Sequence, residues 1–148
     1  MRVLGIDHVA IRVKDLDKAR KFFEEVFETT FHELGDVPAL DIRSMIDPLG
    51  LELVVPLFPN GPTSRVLEKH GEGMTVLSFK VANLDEAVSE MTAKGVRMTN
   101  RGWNGDLEGA TFHPADTFGV LIELVQYHKE EHPLRTCIKK NVGRPLAD

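Results

Sequence analysis

The sequence predicts an α+β fold built from one strand–helix–strand–strand–strand unit used twice. Three observations carry this. First, "HVAIRVKDLDKA" (8–19) lies over "VLSFKVANLDEA" (76–87) at constant offset, with Val13 on Val81, Leu16 on Leu84, Asp17 on Asp85 and Ala19 on Ala87. Second, "GLELVVP" (50–56) lies over "VLIELVQ" (120–126) at nearly the same offset, with Glu52 on Glu123. Third, the pattern around each match moves from period two to helical spacing and back to short apolar runs bounded by turn residues.

The first strand is read over 7–13, where Val9, Ile11 and Val13 alternate with His8, Ala10 and Arg12. Asp15 then stands as N-cap before a helix with Leu16, Ala19, Phe22, Phe23 and Val26 on one stripe. Strands are expected near 28–34, 38–45 and 50–55, the last two joined by the turn "DPLG" (47–50). In the second unit Asn83 is the N-cap, Leu84, Ala87, Val88 and Met91 form the stripe, and Gly95 ends the helix. Strands follow near 96–99, 109–113 and 119–127, with "HPADTFG" as a connecting turn. A Pro/Gly-rich linker (58–73) holds a short helix around 63–69. The expected organisation is one domain over 1–148, with a first module at about 4–57, a second at about 74–127 and a C-terminal extension at 128–148. That extension has little periodicity, and partial disorder is expected there.

Bulk chemistry excludes several classes. A net charge of −5 leaves no basic excess to neutralise nucleic-acid phosphates. No apolar run is long enough to span a bilayer. The single cysteine, Cys137, cannot form an intramolecular disulfide, and the first residues lack the pattern of a signal peptide. A cytoplasmic protein is the expectation.

Alternation also assigns faces. If Val9, Ile11 and Val13 meet the helix, His8, Ala10 and Arg12 face the other way. By the same logic Glu52 and Glu123 leave the helix side of their strands. A carboxylate between apolar strand residues either faces water or carries a compensating partner. One imidazole and two carboxylates suit a divalent ion such as Mn²⁺, Co²⁺, Ni²⁺ or Zn²⁺, so His8, Glu52 and Glu123 are the candidate metal set.

The stretches "IDHVAIRVKDLDKARKFF", "LELVVPL", "LEKHGEG" and "FHPADTFGVLIELVQ" resemble the vicinal-oxygen-chelate superfamily, and most of all its methylmalonyl-CoA epimerase branch. The resemblance runs over about 5–127. It implies paired βαβββ modules forming an open, eight-stranded, barrel-like cleft (a glyoxalase-like fold), a homodimer, and an acyl-CoA or other small-molecule substrate. It implies a divalent metal held by His8, Glu52 and Glu123, with the fourth ligand position, a histidine in the family, falling on Val76. It also implies proton removal alpha to a thioester, with Glu123 as one proton carrier and Asp41, on a strand face shared with Arg43, as the other.

Two other readings stand beside this metal-dependent isomerase or lyase. A metal-free binding module of the bleomycin-resistance type is favoured by Val76, which puts an apolar side chain at a ligand position. A ring-cleaving dioxygenase resembles a two-His, one-carboxylate iron site, and here only His8 lies on the required strands. Secondary candidates are His113 and Phe118 at the turn, and Arg12, Lys80, Arg65 and Lys69 as anion contacts. "RGWNGDLEGA" is a lid or surface loop, and His128 and His132 are replacement ligands.

Overall fold

A computed structural model describes residues 1–129. The described chain runs β1 (Val3–Arg12), α1 (Leu16–Phe27), β2 (His32–Val37), β3 (Ile42–Ile46), β4 (Leu51–Pro56), α2 (Pro62–His70), β5 (Gly73–Val81), α3 (Leu84–Ala93), β6 (Met98–Asn104), β7 (Leu107–Phe112) and β8 (Leu121–Tyr127). The βαβββ order therefore occurs twice, with α2 between, and the fold is α+β. Two compact units share it: Met1–Ala10 with Met74 onward form unit 1, and Ile11–Gly73 form unit 2.

Unit 1 orders its strands β1, β5, β8, β7, β6. Strand β5 pairs β8 in parallel, and β8–β7 and β7–β6 pair antiparallel. The register sets Leu77 against Ile122, Ser78 against Glu123 and Phe79 against Leu124. Helix α3 is started by Asn83, whose side chain accepts from Glu86 N at 3.0 Å, and Gly95 follows it at φ +81°. The core under α3 is Val81, Leu84, Ala87, Ala110, Phe112 and Leu124. Phe79 and Val81 of β5, Ala110 and Phe112 of β7, and Ile122 and Leu124 of β8 enter or pack against it, which leaves Val76, Ser78, Glu123 and Thr111 on the opposite face.

In unit 2, β2, β3 and β4 pair antiparallel. Asp15 caps α1 by accepting from Lys18 N at 2.9 Å. Val13, Phe31, Met45 and Leu53 form the core, joined by Ile11, Leu16, Ala19 and Phe23. The stripe on α1 is narrower than its spacing predicts, because Phe22 and Val26 stay more than half exposed. Phe22 instead meets Phe23 edge-on at 5.2 Å.

Local expectations are corrected at three places. The strand expected at 28–34 starts only at His32, because Glu28 ends α1 in the left-handed region at φ 50°. The stretch expected as strand from 38 opens with a 3₁₀ turn, Pro38–Leu40, and β3 begins at Ile42. The "RGWNGDLEGA" stretch is not an irregular loop: it is the β6–β7 hairpin, turning at Gly105, φ 58°, with Asn104 opposite Leu107. No helix among the described residues is long and apolar enough to cross a membrane.

Candidate active site

His8 and Glu123 meet. Both lie in unit 1, and His8 Nε2 stands 3.3 Å from Glu123 Oε2. The imidazole is buried, 6% exposed, and its orientation has a cause on the adjacent residue. Asp7 Oδ2 lies 3.0 Å from His8 Nδ1 and also accepts the Tyr127 hydroxyl at 2.8 Å. A carboxylate at Nδ1 favours a proton on that nitrogen and holds the ring with Nε2 toward Glu123. Lys80 Nζ lies 5.1 Å above the Tyr127 ring, a cation–π contact that fixes the other side of this cluster.

An imidazole lone pair facing a carboxylate oxygen is a repulsive arrangement unless positive charge lies between them. Glu123 Oε2 is buried with no hydrogen-bond partner among the described residues. Oxygen and nitrogen donors converging on one point, with one of the oxygens unpaired, fit a cation, either a shared proton or a divalent metal.

Glu52, the third expected ligand, lies in unit 2 on β4, 8% exposed and registered against Ile46. Its neighbours Leu51, Leu53 and Val55 pack on the helix side, as the alternation predicts. Among the described residues no group of three or more His, Cys, Asp and Glu side chains is arranged to hold a metal ion.

Asp41 has a different position from the one expected. It is not on β3 beside Arg43 but follows the 3₁₀ turn at φ 55°, 5% exposed. Its Oδ1 accepts from Phe58 N and its Oδ2 from Thr63 N, each at 2.9 Å. Thr63 belongs to the first turn of α2, so Asp41 supplies from afar the cap that Gly61 lacks a side chain to give. Arg43 instead pairs with Asp36 at 2.7 Å and holds that carboxyl below its ordinary range.

The remaining candidates take structural roles. His113 Nδ1 accepts from Ala115 N at 3.1 Å and closes the turn after β7. Arg12, pushed below its ordinary value by burial, donates to Gly71 O at 3.0 Å, and Arg65 donates to Asn60 O. His128 is drawn to the helix side of unit 1, where Nε2 meets Glu108 Oε2 at 3.2 Å and the ring stacks on Trp103. It is not at hand to replace a ligand. His132 and the rest of 130–148 lie outside the described residues.

Sequence reasoning missed Asp7 and Tyr127. Asp7 was legible as a carboxylate next to the candidate histidine. The partnership with Tyr127 spans 120 residues and has no local signal.

The Glyoxalase/Bleomycin resistance protein/Dioxygenase superfamily matches residues 5–124. The mitochondrial methylmalonyl-CoA epimerase of Bos taurus is 31% identical over 128 residues, covering 82% of this chain and 73% of that one. The crystal structure of methylmalonyl-CoA epimerase from Mycobacterium tuberculosis superposes with a TM-score of 0.76 at 29% identity, covering 86% of this chain and 91% of that chain. A methylmalonyl-CoA epimerase solved with methylmalonyl-CoA and NH4+ superposes with a TM-score of 0.76 at 28% identity, covering 88% and 99%.

Proposed function

The chain belongs to the Glyoxalase/Bleomycin resistance protein/Dioxygenase superfamily, and from that premise we propose that it is an isomerase of the methylmalonyl-CoA epimerase kind. It moves a proton at the carbon alpha to the thioester of an acyl-CoA. The observation that carries this reading is the meeting of His8 and Glu123 with a buried, unpaired carboxylate oxygen.

Glu123 is the proton carrier in this reading. Its carboxylate sits on a strand, held in place by β5 and β7 on either side, so its oxygens are pre-positioned and cost little to order. Asp7 and Tyr127 hold His8 in one tautomer and keep its Nε2 aimed at the same point. His8 and Glu123 would hold a divalent ion of the Co, Mn, Ni or Zn kind. When bound, that ion supplies Lewis acidity to a thioester carbonyl. Asp41, with both oxygens engaged by backbone amides, serves this reading as an anchor for α2 rather than as a proton carrier. A homodimer belongs to the same reading and is checked by sedimentation equilibrium.

The test is exchange of the alpha proton of methylmalonyl-CoA and related acyl-CoA thioesters into deuterium oxide. Wild-type protein loaded with a divalent ion should exchange it, and Glu123→Gln should slow exchange by at least about a hundredfold. Exchange that survives Glu123→Gln at the wild-type rate sinks the assignment.

Val76 favours a second reading, a metal-free binding module. It is an apolar side chain on the face that carries Glu123, where the resemblance expects an imidazole. Metal analysis of protein purified without added ions separates the two. A stoichiometric divalent ion that His8→Ala abolishes supports the isomerase. Metal-free protein that binds an acyl or aromatic ligand with His8→Ala unchanged supports the module.

A further inference from the structure

Ser78 lies in the middle of β5, wholly buried, and its hydroxyl has no hydrogen-bond partner among the described residues. Buried hydroxyls are nearly always paired, so an exception asks for an explanation. Its neighbours on the strand, Phe79 and Val81, pack on the helix-side core, so Ser78 faces the other way. The parallel register sets it directly opposite Glu123. Neighbouring strands lie about 4.8 Å apart, so an unpaired hydroxyl and an unpaired carboxylate oxygen occupy adjacent positions on one face.

Glu123 has a second hydroxyl neighbour, and the contrast is informative. Thr111 on β7 is registered against Glu123 from the other side, and its Oγ1 is satisfied by Thr99 Oγ1 at 2.8 Å. Hydroxyls on this face thus find partners where the fold supplies one. Ser78 and Glu123 are side by side and do not bond each other. A third group that both address accounts for two orphans at once.

We propose that Ser78 is a binding residue of the His8–Glu123 site. Its hydroxyl takes over from the imidazole that Val76, two residues back on the same face, does not provide. Ser78 Oγ, Glu123 Oε2 and His8 Nε2 then form a donor set of two oxygens and one nitrogen on unit 1. Exchanging an imidazole for a hydroxyl makes the set harder, so its selectivity for Zn²⁺ and Ni²⁺ over Mn²⁺ and Mg²⁺ narrows. This inference rests on the metal-dependent reading of the site.

The test is calorimetric titration of the chelator-treated full chain with Mn²⁺, Mg²⁺ and Zn²⁺, alongside Ser78→Ala, Ser78→Cys and His8→Ala. Wild type should bind Mn²⁺, with a Zn²⁺-over-Mn²⁺ advantage smaller than that of Val76→His, which restores the imidazole. Ser78→Ala should weaken Mn²⁺ binding by about tenfold or more, the scale on which loss of a supporting group acts, while the ion-free variant melts no lower than wild type. Ser78→Cys should widen the Zn²⁺-over-Mn²⁺ advantage and give a thiolate-to-metal absorption band on adding Cd²⁺, a direct sign of ligation that a packing role would not produce. If His8→Ala abolishes ion binding while Ser78→Ala leaves it unchanged and Ser78→Cys gives no band, the assignment of Ser78 is overturned and the metal site stands. If wild type binds none of the three ions, the metal-dependent reading is overturned and Ser78 falls with it. Should Ser78→Ala fail to fold, the Cd²⁺ band of Ser78→Cys decides alone.

Discussion

The Tyr127 hydroxyl donates to Asp7 Oδ2 at 2.8 Å, closing a contact between the last described strand and the first. The same oxygen takes His8 Nδ1 at 3.0 Å. A residue near the end of the described chain therefore sets the orientation of the histidine near its start. Removing the phenol leaves a largely buried carboxylate short of one donor. We expect Tyr127→Phe to cost about 0.5–1.5 kcal/mol in chemical denaturation. Asp7→Ala releases the ring itself and should lower divalent-ion affinity by about 10–100-fold in calorimetry. An unchanged affinity in Asp7→Ala would show that Asp7 does not position His8 for an ion.

Val76 shares the face of β5 that carries Ser78 and sits opposite Leu121. Val76→His restores an imidazole at the position where the resemblance expects one. We expect the variant to gain affinity for Zn²⁺ and Co²⁺ by at least about tenfold over wild type. A variant with no gain would show that residue 76 does not address the ion.

Gly61 approaches Asp41 so closely that a β-carbon built on it would lie 2.0 Å from Asp41 Oδ2. Its φ of −74° is open to any residue, so the requirement for glycine is steric. Gly61→Ala should destabilise by about 1–3 kcal/mol or more through overpacking. Asp41→Ala leaves two amides without their acceptor and should cost at least as much. Both are read by urea denaturation. If Asp41→Ala keeps wild-type stability but loses proton exchange, Asp41 is a proton carrier after all.

Phe118 occupies the left-handed region at φ 59° and is fully exposed. A bulky side chain gains nothing from packing there and bears the steric penalty of positive φ. Phe118→Gly relieves the strain, and we expect thermal stability to hold or rise, by up to about 1 kcal/mol. A clear loss of stability would mean that the ring makes contacts the monomer does not show.

Arg97 holds the Asp116 carboxyl down to about pH 2 through its side-chain and backbone hydrogen bonds. A carboxyl whose folded pKa is depressed contributes stability above its unfolded pKa, near 4, and loses that contribution as pH falls toward the folded value. Asp116→Asn should therefore lower stability above about pH 4, flatten its pH dependence between about pH 4 and pH 2, and converge with wild type as pH falls to about 2. The check is thermal melting as a function of pH, with NMR titration of the Asp116 side chain to locate its midpoint.

Legibility in the sequence followed locality. Asp15 and Asn83 were readable as caps because a cap's chemistry lies within three residues. The helix-side sets of β4 and β8, Leu51, Leu53 and Val55 in one and Ile122 and Leu124 in the other, were readable from period two. Period two reads Glu123 as facing away from α3, and its neighbours Ile122 and Leu124 pack under that helix; its approach to His8 at 3.3 Å is a tertiary fact. Asp41 was misplaced because a turn residue in the left-handed region interrupts the alternation from which its face was argued. The "RGWNGDLEGA" hairpin is hidden from a sequence reading because its glycines conceal a register that only the partner strand defines.

The sequence by itself determined the doubled βαβββ order, the faces of the strands and the caps of the helices, since each is a periodicity or a contact between near neighbours. Only the tertiary structure decided that β5 lies parallel to β8 with Ser78 against Glu123, that Tyr127 reaches Asp7, and that Asp41 serves α2. Those outcomes depend on strand order and register. Each joins residues far apart along the chain, which meet only after the strands have found their partners, so no pattern within one strand or helix announces them.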